Sequence, residues 1–245
     1  MTTLRNIATL LFPAAICAMV GSCDDGHIND PVRATDAETF TVKIAGNFTG
    51  QDTWTGRTSV AAACFNEESP YSLTQAPLPA SVDNKEQTVT LTNVPTDTKT
   101  IEIAVVNSLR ERIATIYSYS IPADQSTDDT IRLDIGSLDV GMYQTINQVV
   151  FQGNSCSRCH GGASPAANLD LTPQQAYASL VNVKAEKDPQ QTRILPGNAE
   201  GSYLYKVITE GDANVSYSHP ALFTNEAYSN FLNIIRDWIN NGARK

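Results

Sequence analysis

Cys156, Cys159 and His160 form a C-x-x-C-H within "NSCSRCHGG", Asn154 to Gly162. Two thiols three residues apart serve three chemistries: covalent haem attachment, zinc ligation and thiol-disulfide exchange. In the first, the thiols add to the porphyrin vinyl groups and the adjacent histidine reaches the iron from one face. Zinc would require two further ligands. Cys156, Cys159, His160 and His219 are acceptable by type, but a tetrahedral site rarely takes neighbouring residues with its other ligand so far along the chain. A thioredoxin-like pair expects a strand before it in a βαβ setting, and no such pattern precedes Cys156.

The compartment bears on that choice. The chain opens "MTTLRNIATLLFPAAICAMVGSCDDG": Arg5, an apolar run from Ile7 to Val20, then small residues. This is the pattern of a secretory signal, too short and wrongly flanked for a membrane span. Val20-Gly21-Ser22-Cys23 resembles a bacterial lipobox. The resemblance implies cleavage after residue 22 and a lipid on Cys23; an ordinary signal peptide cut nearby is the alternative. Several acyl chains, at about 0.8 kcal/mol per buried methylene, would anchor the mature protein firmly to a bilayer. Asp24-Asp25 follows directly, and an outer-membrane or cell-surface anchor is expected ahead of an inner-membrane one. An extracytoplasmic location favours covalent haem.

The five cysteines then have separate fates: Cys17 leaves with the signal, Cys23 carries lipid, Cys156 and Cys159 belong to the motif, and Cys64 remains. Cys64 lies in the apolar run "SVAAACF" and is expected to be a small buried hydrophobe. No further pair is left to build a disulfide framework.

Charge divides the chain. It carries 17 Lys+Arg and 26 Asp+Glu; residues 142–245 hold eight of each, whereas 24–141 hold eight basic and eighteen acidic residues. The acidic N-terminal part argues against a nucleic-acid partner.

The positioning elements change in kind near Gly141. After the signal peptide (1–22) and a polar tether (23–38), residues 39–140 show short alternating runs: "FTVKI", "SVAAACF", "QTVTLT", "KTIEIAVV", "RIATIYSYSI" and "TIRLDI". Gly, Pro, Asn and Asp punctuate the gaps, and six or seven strands over about a hundred residues read as an all-β immunoglobulin-like sandwich. Residues 141–245 change to helical period. Met142, Ile146, Val149 and Val150 share one face of a helix running into the motif, with Met142 read as core. Thr172, Pro173 and Gln175 read as a capping-box start, "SYLYKVITEG" as a helix stopped by Gly211, and "NEAYSNFLNIIRDWINNGA" as the last helix, followed by Gly242.

Those helical segments carry a second resemblance. The pieces "QVVFQGNSCSRCHGG", "LDLTPQQAYASLV", "RILPGNAEGSYLYKVI" and "IIRDWINNGA" are similar, in that order, to the short mono-haem cytochrome c modules found fused to other domains. The resemblance implies an all-α cytochrome c fold for residues 141–245, haem c held by Cys156 and Cys159, His160 on the iron, and single-electron exchange with redox protein partners. It also implies a hydrogen bond from His160 to a carbonyl near Pro196. Such modules usually place a Met-Pro pair before the last helix, and here His219-Pro220 stands in "YSHPALF". His219 is therefore expected as the sixth ligand, with a solvated loop histidine as the plainer alternative. A His/His iron has a lower potential than a His/Met one. The overall expectation is a lipid-anchored electron carrier that is not an enzyme. Two other readings stand beside it: a haem sensor or peroxidase with an open iron, and a surface glycan- or protein-binding sandwich, with Trp54 as a possible contact, that carries haem as an accessory.

Overall fold

The computed structural model describes residues 38–245 apart from 55, 83–84 and 125–129. The signal peptide, Cys23 and nearly all of the tether lie outside the described residues. Ala37–Lys245 forms one compact unit.

Seven strands build two sheets: β1 (Thr39–Thr49), β2 (Thr58–Phe65), β3 (Thr74–Pro77), β4 (Gln87–Pro95), β5 (Thr100–Asn107), β6 (Arg112–Ser120) and β7 (Ile131–Asp139). The three-stranded sheet has the order β4-β1-β7, and the four-stranded sheet β3-β2-β5-β6. In β1 every second residue, Phe40, Val42, Ile44, Gly46 and Phe48, is buried, which is the half-buried alternation a sheet face demands. β1 pairs antiparallel with β4 but parallel with β7. β2 and β5 differ: both are buried almost throughout, and their small or β-branched residues leave little for solvent.

The helical part departs from expectation. It contains α1 (Met142–Thr145), α2 (Ala176–Leu180), α3 (Tyr203–Thr209) and α4 (Glu226–Asn240), with single turns and loop between them. Only α4, at 15 residues, exceeds two turns. The all-α cytochrome c fold expected for residues 141–245 is thereby corrected: the described chain is mostly β-sheet, and its few short helices make no large all-α domain. The lead-in segment also changes type. After four α-helical residues, Ile146–Gln152 winds as a π-helix, with the Gly153 amide donating to the Gln148 carbonyl at 3.0 Å. Such wide turns are rare and are frequently found at functional sites. α2 starts three residues later than the capping box suggests, and Thr172 is engaged elsewhere. Both its amide and its hydroxyl donate to Asp170 Oδ1, at 2.9 and 2.7 Å.

One hydrophobic core joins sheet and helix residues: Val42, Phe48, Ile103 and Ile113 belong to the same cluster as Met142, Ile146, Leu180, Ile235 and Trp238. Polar ties cross the same junction. The Met142 amide donates to Thr53 Oγ1 at 2.8 Å, and Gln148 Nε2 donates to the Ile116 carbonyl at 3.4 Å. Trp54 belongs to this junction, donating through Nε1 to the Val140 carbonyl at 2.6 Å. It is partly buried against the core.

Candidate functional site

The C-x-x-C-H sits on a tight turn directly after the π-helix. Ser155 adopts a left-handed conformation, φ 61°, which reverses the chain, and Cys156–Arg158 then forms a single 3-10 turn. The amides of Cys159 and His160 both donate to the Cys156 carbonyl, at 3.3 and 3.0 Å. This winding gathers the two thiols and the imidazole on about one helical turn, as i, i+3 and i+4 spacing requires. Cys156 packs against the core, whereas Cys159 is exposed.

His160 is oriented from its own loop. Its Nδ1 lies 3.0 Å from the Ala166 carbonyl. A neutral imidazole donating there presents Nε2 as its free lone pair. This acceptor replaces the carbonyl near Pro196 that the cytochrome c resemblance implied. Pro196 lies instead in a turn closed by the Asn198 amide on the Leu195 carbonyl, and the Gly197 amide donates to Ile239 of α4 at 2.7 Å.

His219 comes from the far side of the sequence. It precedes the 3-10 turn Pro220–Phe223, whose Phe223 side chain is buried in the core and pins the segment. Its Nδ1 lies 3.1 Å from the Tyr217 carbonyl, so its Nε2 is also left free. The Tyr217 ring stands edge-on to it at 5.2 Å. Across 59 residues of chain, the His160 and His219 ring centroids are 6.0 Å apart with an interplanar angle of 35°.

That separation tests whether the pair fits one metal. With an imidazole nitrogen about 2 Å from a metal and about 1 Å from its ring centre, a roughly linear pair has centroids about 6 Å apart. The observed spacing matches, and each ring's second nitrogen is already fixed by a backbone carbonyl, the usual support of a metal-bound histidine. Burial lowers the pKa of both imidazoles. For His160 the Ala166 carbonyl acts the other way and the nearby Arg193 guanidinium lowers it further; for His219 the Tyr217 carbonyl opposes and His160 adds to the lowering. At both rings the largest effect, burial, favours the neutral, ligating form.

Zinc fares worse. Among the described residues, no group of three His, Cys, Asp or Glu side chains is placed to hold a metal ion, so the four acceptable ligands do not converge. Cys64 is buried on β2, and burial pushes its thiol up to about 12. Among the described residues no helix is long and apolar enough to cross a membrane.

Two site features were not readable from the sequence: the Ala166 and Tyr217 carbonyls. Any residue supplies a carbonyl, and only the fold selects which one meets a ring. The likeness to cytochrome c modules rests on the quoted segments alone: no protein-family model, no curated protein and no solved structure matches the chain.

Proposed function

We propose that this chain is a mono-haem electron carrier, with haem c attached through Cys156 and Cys159 and ligated by His160 and His219. The observation that carries the reading is the neighbouring pair of imidazoles, with ring centroids 6.0 Å apart, each with Nδ1 against a backbone carbonyl. When bound, the haem supplies one reversible electron per iron.

The chain's own residues do the rest. Cys156 and Cys159 present their sulfurs from one turn, so that attachment fixes the group to the end of the π-helix. His160 and His219 would be the residues that ligate its iron, and with both bound the metal would have no open position for small ligands. The loop Pro165–Leu169 and the turn Pro220–Phe223 keep those rings aimed by hydrogen bonds and by the buried Phe223. The scaffold doing this is the β-sheet core with its short helices, not an all-α module. A lipid on Cys23 would keep the carrier at a membrane surface, where redox protein partners meet it.

An absorption spectrum of protein made in a periplasm with haem-attachment machinery tests the reading. Pigment that survives acidic organic extraction, with a six-coordinate reduced spectrum unaffected by carbon monoxide, is the expected result. Ready binding of carbon monoxide would transfer the function to a sensor or peroxidase, and colourless protein would end the haem reading.

A further inference from the structure

Arg193 is 7% exposed, yet among the described residues no carboxylate forms an ion pair with its guanidinium. Its donors go to three backbone carbonyls: Nη1 to Ser179 at 2.8 Å, and Nη2 to Ala167 at 2.7 Å and Asn168 at 3.2 Å. Two of those acceptors lie in an unusual place. Ala167 and Asn168 are consecutive non-glycine residues with positive φ, 55° and 46°. Left-handed residues without glycine are disfavoured and persist where surrounding contacts hold them. The residue just before them is Ala166, whose carbonyl faces His160 Nδ1.

The arginine is itself well held. Its amide donates to the Val183 carbonyl at 2.7 Å, and its own carbonyl accepts from the Leu204 amide at 2.9 Å, at the head of α3. The chain is therefore anchored on one side and reaches through the guanidinium to the loop on the other. A planar fork with several donors suits carbonyls at fixed relative positions, where lysine would reach one at a time.

We infer that Arg193 is a positioning residue of the haem site: it clamps the left-handed pair Ala167-Asn168, so that the Ala166 carbonyl aims His160, and it lodges a positive charge beside that ligand. This inference rests on the proposed haem function, but its first half concerns only the imidazole and its loop. Glu186 moderates the charge from a distance and also accepts from Asn168 Nδ2, bracing the same loop from outside. In consequence, two properties of the site are separable. Aim depends on the fork, and charge depends on the cation.

The experiment reads each of them. In full-length chain made without haem attachment, nitrogen-15 shifts of the imidazoles near pH 8 report the tautomer, assigned through His160→Ala. The expected result is a single Nδ1-protonated form of His160 in the native chain and a mixture of tautomers in Arg193→Gln. Adding Ala167→Gly to Arg193→Gln restores much of the single form, because glycine accepts the left-handed conformation unaided. An unchanged tautomer in Arg193→Gln, or a mixture already present in the native chain, overturns the clamp. Should Arg193→Gln fail to fold, Arg193→Lys is read in its place with the same criterion.

In the haem-loaded protein the midpoint potential of Arg193→Gln falls below that of Arg193→Lys. Both lose the fork and only one loses the charge, whose presence disfavours the oxidised iron. Equal potentials in the two variants overturn the electrostatic half. A native chain that takes up no haem would refute the proposed function while leaving the tautomer result to decide the role of Arg193.

Discussion

Each imidazole of the neighbouring pair has Nδ1 against a carbonyl of its own loop, Ala166 for His160 and Tyr217 for His219, so each keeps one nitrogen for a ligand role. If His219 holds the iron, then His219→Met raises the midpoint potential by roughly 0.1 V or more, since methionine favours the reduced iron. His219→Ala opens the site instead, and carbon monoxide then binds the reduced protein; potentiometry and a carbon monoxide difference spectrum check the two. The thiols should also differ. Burial, with a smaller contribution from neighbouring Cys159, pushes the Cys156 thiol up to about 11, and Cys64 rises to about 12. The thiolate is the reactive form, so at pH 8 both are almost wholly protonated and alkylate slowly. In haem-free protein, iodoacetamide followed by mass spectrometry is expected to find Cys159 labelled first, Cys156 accelerating as the pH rises toward 11, and Cys64 labelled only on unfolding. Equal labelling of all three would show that the buried environments are not present in solution. The sequence singles out His219 because it is the second of only two histidines after residue 141 and precedes a proline at the place where a ligand was expected, and the fold brings its ring near that of His160. Ala166 and Arg193 were not legible, because their roles arise from a turn conformation that the side-chain pattern does not encode.

The elements were legible where burial imposes a period. β1, β2, β4, β5, β6 and β7 lie on the alternating runs, and α4 lies on the segment read as the last helix, with Phe231, Ile234, Ile235, Trp238 and Ile239 buried. β3 was missed: four residues ending in Pro77 give no period, and proline suits the edge of a sheet. The parallel β1–β7 pairing was invisible too, since alternation shows which face is buried and not which strand lies alongside. The all-α fold was drawn from a motif and a few helix-like segments. Loop fills most of the spaces between them, and the apolar faces of those segments find the sheets instead. The sharpest point of contact between elements is Gly50, which has φ 83° where β1 ends. A Cβ added there would lie 2.5 Å from Gly141 Cα and 2.6 Å from its amide nitrogen, just before α1. Gly50→Ala combines left-handed strain with a backbone collision, and it is expected to destabilise the protein by on the order of 2 kcal/mol. Thermal denaturation measures this, and a variant as stable as the native chain would mean that β1 and α1 do not pass this closely.

At the scale of the molecule, the cluster that runs from Val42 and Phe48 through Ile103 to Ile146, Ile235 and Trp238 makes unfolding of either part costly to the other. Ile146 is fully buried at the junction, in the π-helix that leads to the haem motif. Removing its side chain as Ile146→Ala is expected to cost about 2–5 kcal/mol through lost burial and a residual cavity. If the core is continuous, that loss is felt in both parts alike. The sequence supplies its own reporters: there are two tryptophans, Trp54 after β1 and Trp238 in α4. In the single-tryptophan proteins made by Trp238→Phe and Trp54→Phe, urea unfolding followed by fluorescence should be one transition in each, and Ile146→Ala should shift both midpoints by the same free energy. Circular dichroism of the sheets supplies a third probe with the same midpoint. Two separated midpoints, or a shift confined to the Trp238 reporter, would show that the helical part unfolds by itself. The distinction matters for the proposed electron transfer. Under that proposal, a loop docked on a cooperative core would keep His219 near His160 in both oxidation states, whereas a helical part that opened alone would release His219 and expose the iron to small ligands.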